Sequence, residues 1–169
     1  HILLTRPLED SHVMILRFQS LGHKVSHIPL INIESKNYES INFSDYNGII
    51  FTSANAIKFI NSKLIDKKIS CFCVGSSTEK KAKSVGFQNI FCADGNVNNL
   101  KELILSNFNS SDGKLLYVSG EIISSNLDEK LISEGYDIKR VVNYTVKHVE
   151  RLNENFLEKI KLKMPNLVY

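Results

Sequence analysis

The sequence is poor in features that would name its chemistry outright. Cysteine is scarce: Cys71, Cys73 and Cys92 are the only three. An odd count closes no disulfide framework, and Cys71-x-Cys73 falls in the apolar run ISCFCVG. Residues two apart on a strand share a face, and cysteine is commonly buried, so these thiols are expected to be inert core residues rather than metal or redox centres. No run approaches the roughly 18 apolar residues of a membrane span. No charged, apolar, small-residue leader opens the chain, so a cytoplasmic location is expected. The first residue is His1 rather than methionine, so the natural N-terminus is expected to lie further upstream. Charge of one sign is also lacking. The net charge is +3, from 21 basic and 18 acidic residues, too mild for a nucleic-acid surface. It is compatible with an anionic small molecule as partner.

Motifs are missing too. There is no G-x-G-x-x-G and no G-x-x-x-x-G-K-[ST], so neither dinucleotide nor P-loop chemistry is signalled. There is no G-x-S-x-G nucleophile elbow. His12, His23, His27 and His148 have no metal spacing with cysteine or carboxylates, and no acidic pair stands out as a general acid–base couple. An enzyme of this kind would work by holding its substrate, without a strong nucleophile or a metal.

What is present is alternation. Strand-length apolar runs are followed by small polar residues and then by helix-period segments. Strands are expected at Ile2–Thr5, Lys24–His27, Gly48–Phe51, Ser70–Val74, Asn89–Cys92, Leu115–Val118 and Asp137–Val142, with another starting at Leu167–Tyr169. Helices are expected over Ser11–Leu21, Ala54–Lys63, Thr78–Val85, Asn98–Phe108, Asn126–Glu134 and Asn153–Lys163, three of them stopped by Gly22, Gly86 and Gly135. Such alternation implies βαβ units and parallel sheets flanked by helices.

Two segments run in the same order of strand, polar turn, helix, glycine stop, strand and extended tail: Ile2–Ile33 and Leu115–Val146. They suggest an α/β fold of two related lobes. The extended pieces near 28–34 and 141–147 would be a two-stranded linker between them. Residues 35–142 would form one lobe, and residues 1–33 with 148–169 the other. The latter has few strands for a parallel lobe and the chain stops as one begins, so it is expected to be incomplete, the natural protein continuing past Tyr169.

Ligands of open parallel sheets bind at the carboxyl ends of the strands. The residues there are Thr5-Arg6-Pro7, Thr52-Ser53-Ala54-Asn55, Gly75-Ser76-Ser77-Thr78, Asp94-Gly95-Asn96 and Ser119-Gly120-Glu121. Most open a helix, where free N–H groups and a partial positive charge suit an anion. Helix capping alone also accounts for these residue types. Arg6 stands where a carboxylate or phosphate would bind, or would pair with Glu9 or Asp10. Tyr144, in the extended VVNYTV, is placed either to donate a proton beside a cleft or to pack among its neighbours.

The blocks ILLTRP, LGHKVSHIPLINI, GIIFTSANAIKF, CVGSST with its following VGF, ADGNVNNL, LLYVSGE and RVVNYTV occur in an order that resembles the uroporphyrinogen-III synthase family along essentially the whole chain. The resemblance implies two α/β lobes joined by a two-stranded ladder. It implies a lyase of tetrapyrrole (haem) biosynthesis that cyclises hydroxymethylbilane to uroporphyrinogen III. The terminal hydroxyl is lost as water, an azafulvene forms, and a spiro intermediate inverts the last pyrrole. No cofactor or metal is implied; the partner is a linear tetrapyrrole polyanion, and the protein is expected to be a monomer. By the same resemblance Tyr144 would be the acid for the departing hydroxyl. Thr52, Ser53, Asn55, Thr78, Ser119 and Gly120, with Arg6, Ala54 and Gly75 from the strand-end argument, would hold the substrate's acid groups, largely through backbone N–H groups. Some family members carry arginine where this chain has Asn55, so an ionic role is not expected there. The family continues past LVY with a further turn and elements, so the 169 residues alone are expected to show little or no synthase activity. Two rivals remain. One is a non-enzymatic, two-lobed anion-binding protein, which has no need of Tyr144. The other is a flavodoxin-like mononucleotide-binding domain, weakened by Arg6-Pro7 where a phosphate loop should be, since proline has no N–H to give.

Overall fold

A computed structural model describes all 169 residues. The chain divides into two compact units, one of His1–Glu34 with Val146–Tyr169, the other Ser35–Thr145.

The first unit holds a three-stranded parallel sheet in the order β2-β1-β9, with β1 at Ile2–Leu4, β2 at Val25–His27 and β9 at Leu167–Val168. Helix α1 spans Leu8–Ser20 and helix α6 spans Glu154–Leu162. Helix α1 starts three residues before the expected Ser11. Pro7 supplies a fixed φ ahead of the first turn, and Glu9 and Asp10 favour its positive end.

The chain passes between the units twice, along β3 (Ile31–Ser35) and β8 (Ile138–His148), which are neighbours in the sheet. The Lys36 N–H donates to the Asn143 carbonyl and the Val149 N–H to the Leu30 carbonyl, so these two strands run antiparallel. Strand β8 is longer than the sequence suggests. It takes up both the expected strand and the expected crossing in one piece.

The second unit is built on parallel strands in the order β8-β7-β4-β5-β6, with β4 at Gly48–Phe51, β5 at Ser70–Val74, β6 at Asn89–Ala93 and β7 at Leu115–Gly120. These strands read as continuous apolar runs because both faces are covered. Successive side chains alternate between two cores. Ile49, Phe51, Cys71, Cys73, Leu116 and Val118 meet Ala56 and Ile57 of α2 (Ala54–Lys58) and Ala82 of α3 (Ser76–Ser84). Ile50, Phe72, Leu115 and Tyr117 meet Leu100 and Ile104 of α4 (Val97–Asn107) and Leu127 and Leu131 of α5 (Leu127–Ser133). Phe72 stacks on Phe91 at 5.0 Å and meets Phe108 edge-on at 6.1 Å. Burial pushes the Cys71 thiol up to about 12 and raises Cys73 as well, in keeping with core cysteines.

Helix α2 ends at Lys58, well short of the expected Lys63. Two tertiary demands stop it. The Ala56 carbonyl accepts a hydrogen bond from the Asn143 side chain, and the chain then turns to bury Ile60 and Ile65. No helix of the chain is long and apolar enough to cross a membrane.

Candidate functional site

The second unit carries a cleft of about 320 Å³ at the carboxyl ends of its strands. Thr52 and Ser53 follow β4, Val74 ends β5, Gly95 and Asn96 follow β6, Gly120 ends β7, and Tyr144 looks in from β8. The loop from Ile122 to Ser125 closes one side. Helix N-termini gather at this edge because β4, β5, β6 and β7 are each followed by a helix. A second recess of about 400 Å³, bordered by Tyr46, Asn47, Asp66 and Ile69, lies at the opposite, amino ends of β4 and β5. It has no helix N-terminus following a strand to offer, so the carboxyl-edge cleft is the candidate site.

The local chemistry of the cleft is fixed residue by residue. Ser53 caps α2: its Oγ accepts from the Asn55 N–H at 3.2 Å. Asn96 caps α4 in the same way, its Oδ1 accepting from the N–H groups of Asn98 and Asn99 at 2.8 and 3.3 Å. The Thr52 and Tyr117 hydroxyls lie 3.2 Å apart and share a hydrogen bond. Burial raises the Tyr117 phenol above its ordinary value, against the opposing effects of Thr52 and Arg140, so it stays neutral and keeps its proton. None of the lining side chains is charged, and Val74, Val97, Ile122 and Ile123 give the cleft apolar surface between its hydroxyls.

Tyr144 owes its direction to a bulge. In the β7–β8 ladder Ser119 pairs with Val142, but Gly120 pairs with Tyr144, so Asn143 is the extra residue. A bulge bends its strand and re-aims side chains. Here it turns Asn143 fully into the interior, where Nδ2 donates to the Ala56 carbonyl at 2.8 Å. Tyr144 is left half-buried at the cleft, with its ring 6.4 Å from that of Phe59. Arg140 fixes the facing turn: its Nε donates to Ser119 Oγ at 2.8 Å and its Nη2 to the Gly120 and Glu121 carbonyls at 2.9 and 3.2 Å.

Of the residues singled out from sequence, the structure brings Thr52, Ser53, Gly120 and Tyr144 to one cleft. The others lie elsewhere. Thr78 is buried because α3 begins at Ser76, two residues earlier than expected, which rotates Thr78 inward. Ser119 is fully buried and its hydroxyl is held between Arg140 and the Gly120 carbonyl. Ala54 and Asn55 lie in the first turn of α2, beyond the cleft lining, and Gly75 takes φ +78° as the lead-in to α3. Arg6 belongs to the first unit, exposed, 3.7 Å from Asp10, with its carbonyl bonded to His27 Nε2. Sequence reasoning missed Tyr117, Ile122, Ile123, Ser124 and Ser125. The Ser-Ser-Asn before α5 was the available signal, since Ser53 and Asn96 likewise precede the helices after β4 and β6.

A family model described as uroporphyrinogen-III synthase HemD matches residues 13–168. The chain belongs to the uroporphyrinogen-III synthase family. It is similar to a porphyrin biosynthesis protein HemD of Ruminiclostridium josui, 27% identical over 168 residues, which cover 91% of this chain and 33% of that protein. The chain thus spans about a third of the length of that curated relative. Among solved structures, the uroporphyrinogen-III synthetase of Helicobacter pylori 26695 superimposes with a TM-score of 0.62 at 20% identity, over 100% of this chain and 72% of that one. A mutant uroporphyrinogen III synthase from the extremely thermophilic bacterium Thermus thermophilus gives 0.57 at 12% identity, over 99% of this chain and 71% of that one. At such identities the likeness shows a shared fold, parallel sheets flanked by helices.

Proposed function

We propose that the protein carrying this chain is a uroporphyrinogen-III synthase, a lyase of tetrapyrrole biosynthesis. It would convert hydroxymethylbilane to uroporphyrinogen III with loss of water and inversion of the last pyrrole. The observation that supports this best is Tyr144, aimed by a β-bulge at a cleft of hydroxyls and apolar side chains in a chain of this family.

The cleft suits such a substrate. A linear tetrapyrrole has apolar ring faces and acid side chains, matching Val74, Val97, Ile122 and Ile123 between the hydroxyls of Thr52, Ser124 and Ser125. In the reaction the C–O bond of the terminal hydroxymethyl group would break as its oxygen gains a proton from the phenol, water leaving while the pyrrole nitrogen supplies electrons, so that a protonated azafulvene remains and its positive charge is discharged by proton loss after ring closure. The Tyr144 phenol is the donor assigned to that oxygen. Ring closure would then have the substituted carbon of the last pyrrole bond to the azafulvene methylene, giving a spiro intermediate; the original methylene bond at that carbon breaks and re-forms at the ring's free α-carbon, a proton is lost, and the shape of the cleft would favour this course. The neutral Tyr117–Thr52 pair supplies a hydrogen bond to the bound substrate without adding charge.

The test is a coupled assay in which hydroxymethylbilane is generated in situ, the product oxidised and the uroporphyrin isomers separated. The type III isomer should dominate. Type I alone, which forms without an enzyme, would overturn the synthase reading and leave a protein that binds anions without catalysis.

A further inference from the structure

Beside the main cleft, and sharing Asn96, Val97, Ser124 and Ser125 with it, lies a second recess of about 350 Å³. Its lining includes one charged residue, Lys130 of α5. The Lys130 ammonium donates to Asn98 Oδ1 and to Ser125 Oγ, each at 2.9 Å. Both acceptors are neutral. The carboxylates nearest along the helix are engaged elsewhere: Glu134 pairs with Lys101, and Glu129 accepts from Asn126 Nδ2. Asp128 turns inward, one of its oxygens buried. An ammonium has three donors, and two of them hold its position at the edge of the recess that Lys130 helps line. Its charge is fixed in place, half-buried and without a counter-charge.

We infer that Lys130 forms a carboxylate-binding subsite at the rim of the cleft and anchors one acid side chain of the bound tetrapyrrole. The inference rests on the synthase reading above. Two features make the site more than a solvated lysine. The ammonium is preorganised by a helix start on one side and the Ser125 turn on the other, so little side-chain entropy is lost on binding. The neighbouring cleft offers hydroxyls and apolar surface but no charge, so a polyanion drawn there meets its fixed cation at Lys130.

The test is direct binding of uroporphyrin I, a closed tetrapyrrole with the same acid side chains, followed by fluorescence quenching on the protein carrying this chain. Lys130→Met should weaken binding about tenfold and flatten its salt dependence, and Lys130→Arg should restore most of the affinity. Lys114→Met removes the same charge from the far end of the sheet, where Lys114 pairs with Asp137, and should leave binding unchanged. An unchanged melting temperature shows that Lys130→Met keeps the fold. Equal binding by wild type and Lys130→Met, or an equal loss in Lys114→Met, overturns the subsite while leaving the synthase reading intact. No binding by the wild-type protein overturns the subsite, whereas the synthase reading stands or falls on the isomer assay.

Discussion

The phenol ring of Tyr144 lies over the backbone of Gly120. A Cβ placed on Gly120 would come within 2.6 Å of Tyr144 Cζ and 2.9 Å of its hydroxyl oxygen. Glycine is required here by close approach and not by an unusual φ. Strand β7 is buried and tied on both sides, whereas the Tyr144 ring is half-buried. In Gly120→Ala the ring is therefore what yields. The substitution should cost about 1–3 kcal/mol in urea unfolding and lower synthase turnover by about 10²-fold, since a displacement near 1 Å is enough for such a loss. Unchanged turnover would show that the ring need not stand where Gly120 admits it.

Tyr144→Phe separates the ring from its hydroxyl. The ring contact with Phe59 survives, so the urea midpoint should not move. Turnover should fall by about 10²-fold or more, the usual contribution of a positioned acid, with KM little changed. A variant with full turnover would remove the phenol from the proton-transfer step.

Asn143 ties the bulge to α2 through a buried hydrogen bond to the Ala56 carbonyl, while its own Oδ1 is buried without a partner. Asn143→Ala should destabilise the fold by about 1–3 kcal/mol, with the orphaned oxygen limiting the loss. Asn143→Asp should be the more severe, because it buries a charge opposite a carbonyl. Chemical denaturation of the two variants side by side checks the order; a milder effect for the aspartate would contradict it.

Glu121, at the head of the turn after Gly120, accepts from Lys36 and from the Thr145 hydroxyl, and Lys36 first of all holds its carboxyl below the ordinary value of 4.5. A carboxyl lowered in the folded state contributes stability that is present above 4.5 and lost as pH falls through the lowered value. Melting temperatures measured between about pH 6 and about pH 3 should therefore fall less in Glu121→Gln than in wild type. The difference should be small, since both partners are about half exposed to solvent.

Strands β4, β5 and β7 were legible because each carries a short apolar run beside a polar turn, as in GIIF, CFCV and LLYV, although β7 runs on through Ser119 to Gly120. The glycine stops were legible as well: Gly22, Gly86 and Gly135 all follow helices with positive φ. Helix starts were less so. One residue of phase decides which way a side chain points, and the early start of α3 sent Thr78 inward. The end of α2 was not legible at all, because the Asn143 amide that takes its carbonyl lies 87 residues away in sequence.

The sequence by itself determined the fold class and the family, the latter through the order of its motifs. Those properties follow from local pattern: apolar runs, turn residues and helix stops repeat within a few positions. Only the tertiary structure decided which candidates meet. It gathered Thr52, Ser53, Gly120 and Tyr144 with Tyr117 and the Ser124–Ser125 turn, closed off Thr78 and Ser119, and left Arg6 in the other unit. The reason is register. A single inserted residue at Asn143 reverses which side of β8 each side chain faces, and a bulge is set by the packing of β7, β8 and α2 together rather than by any residue in the strand.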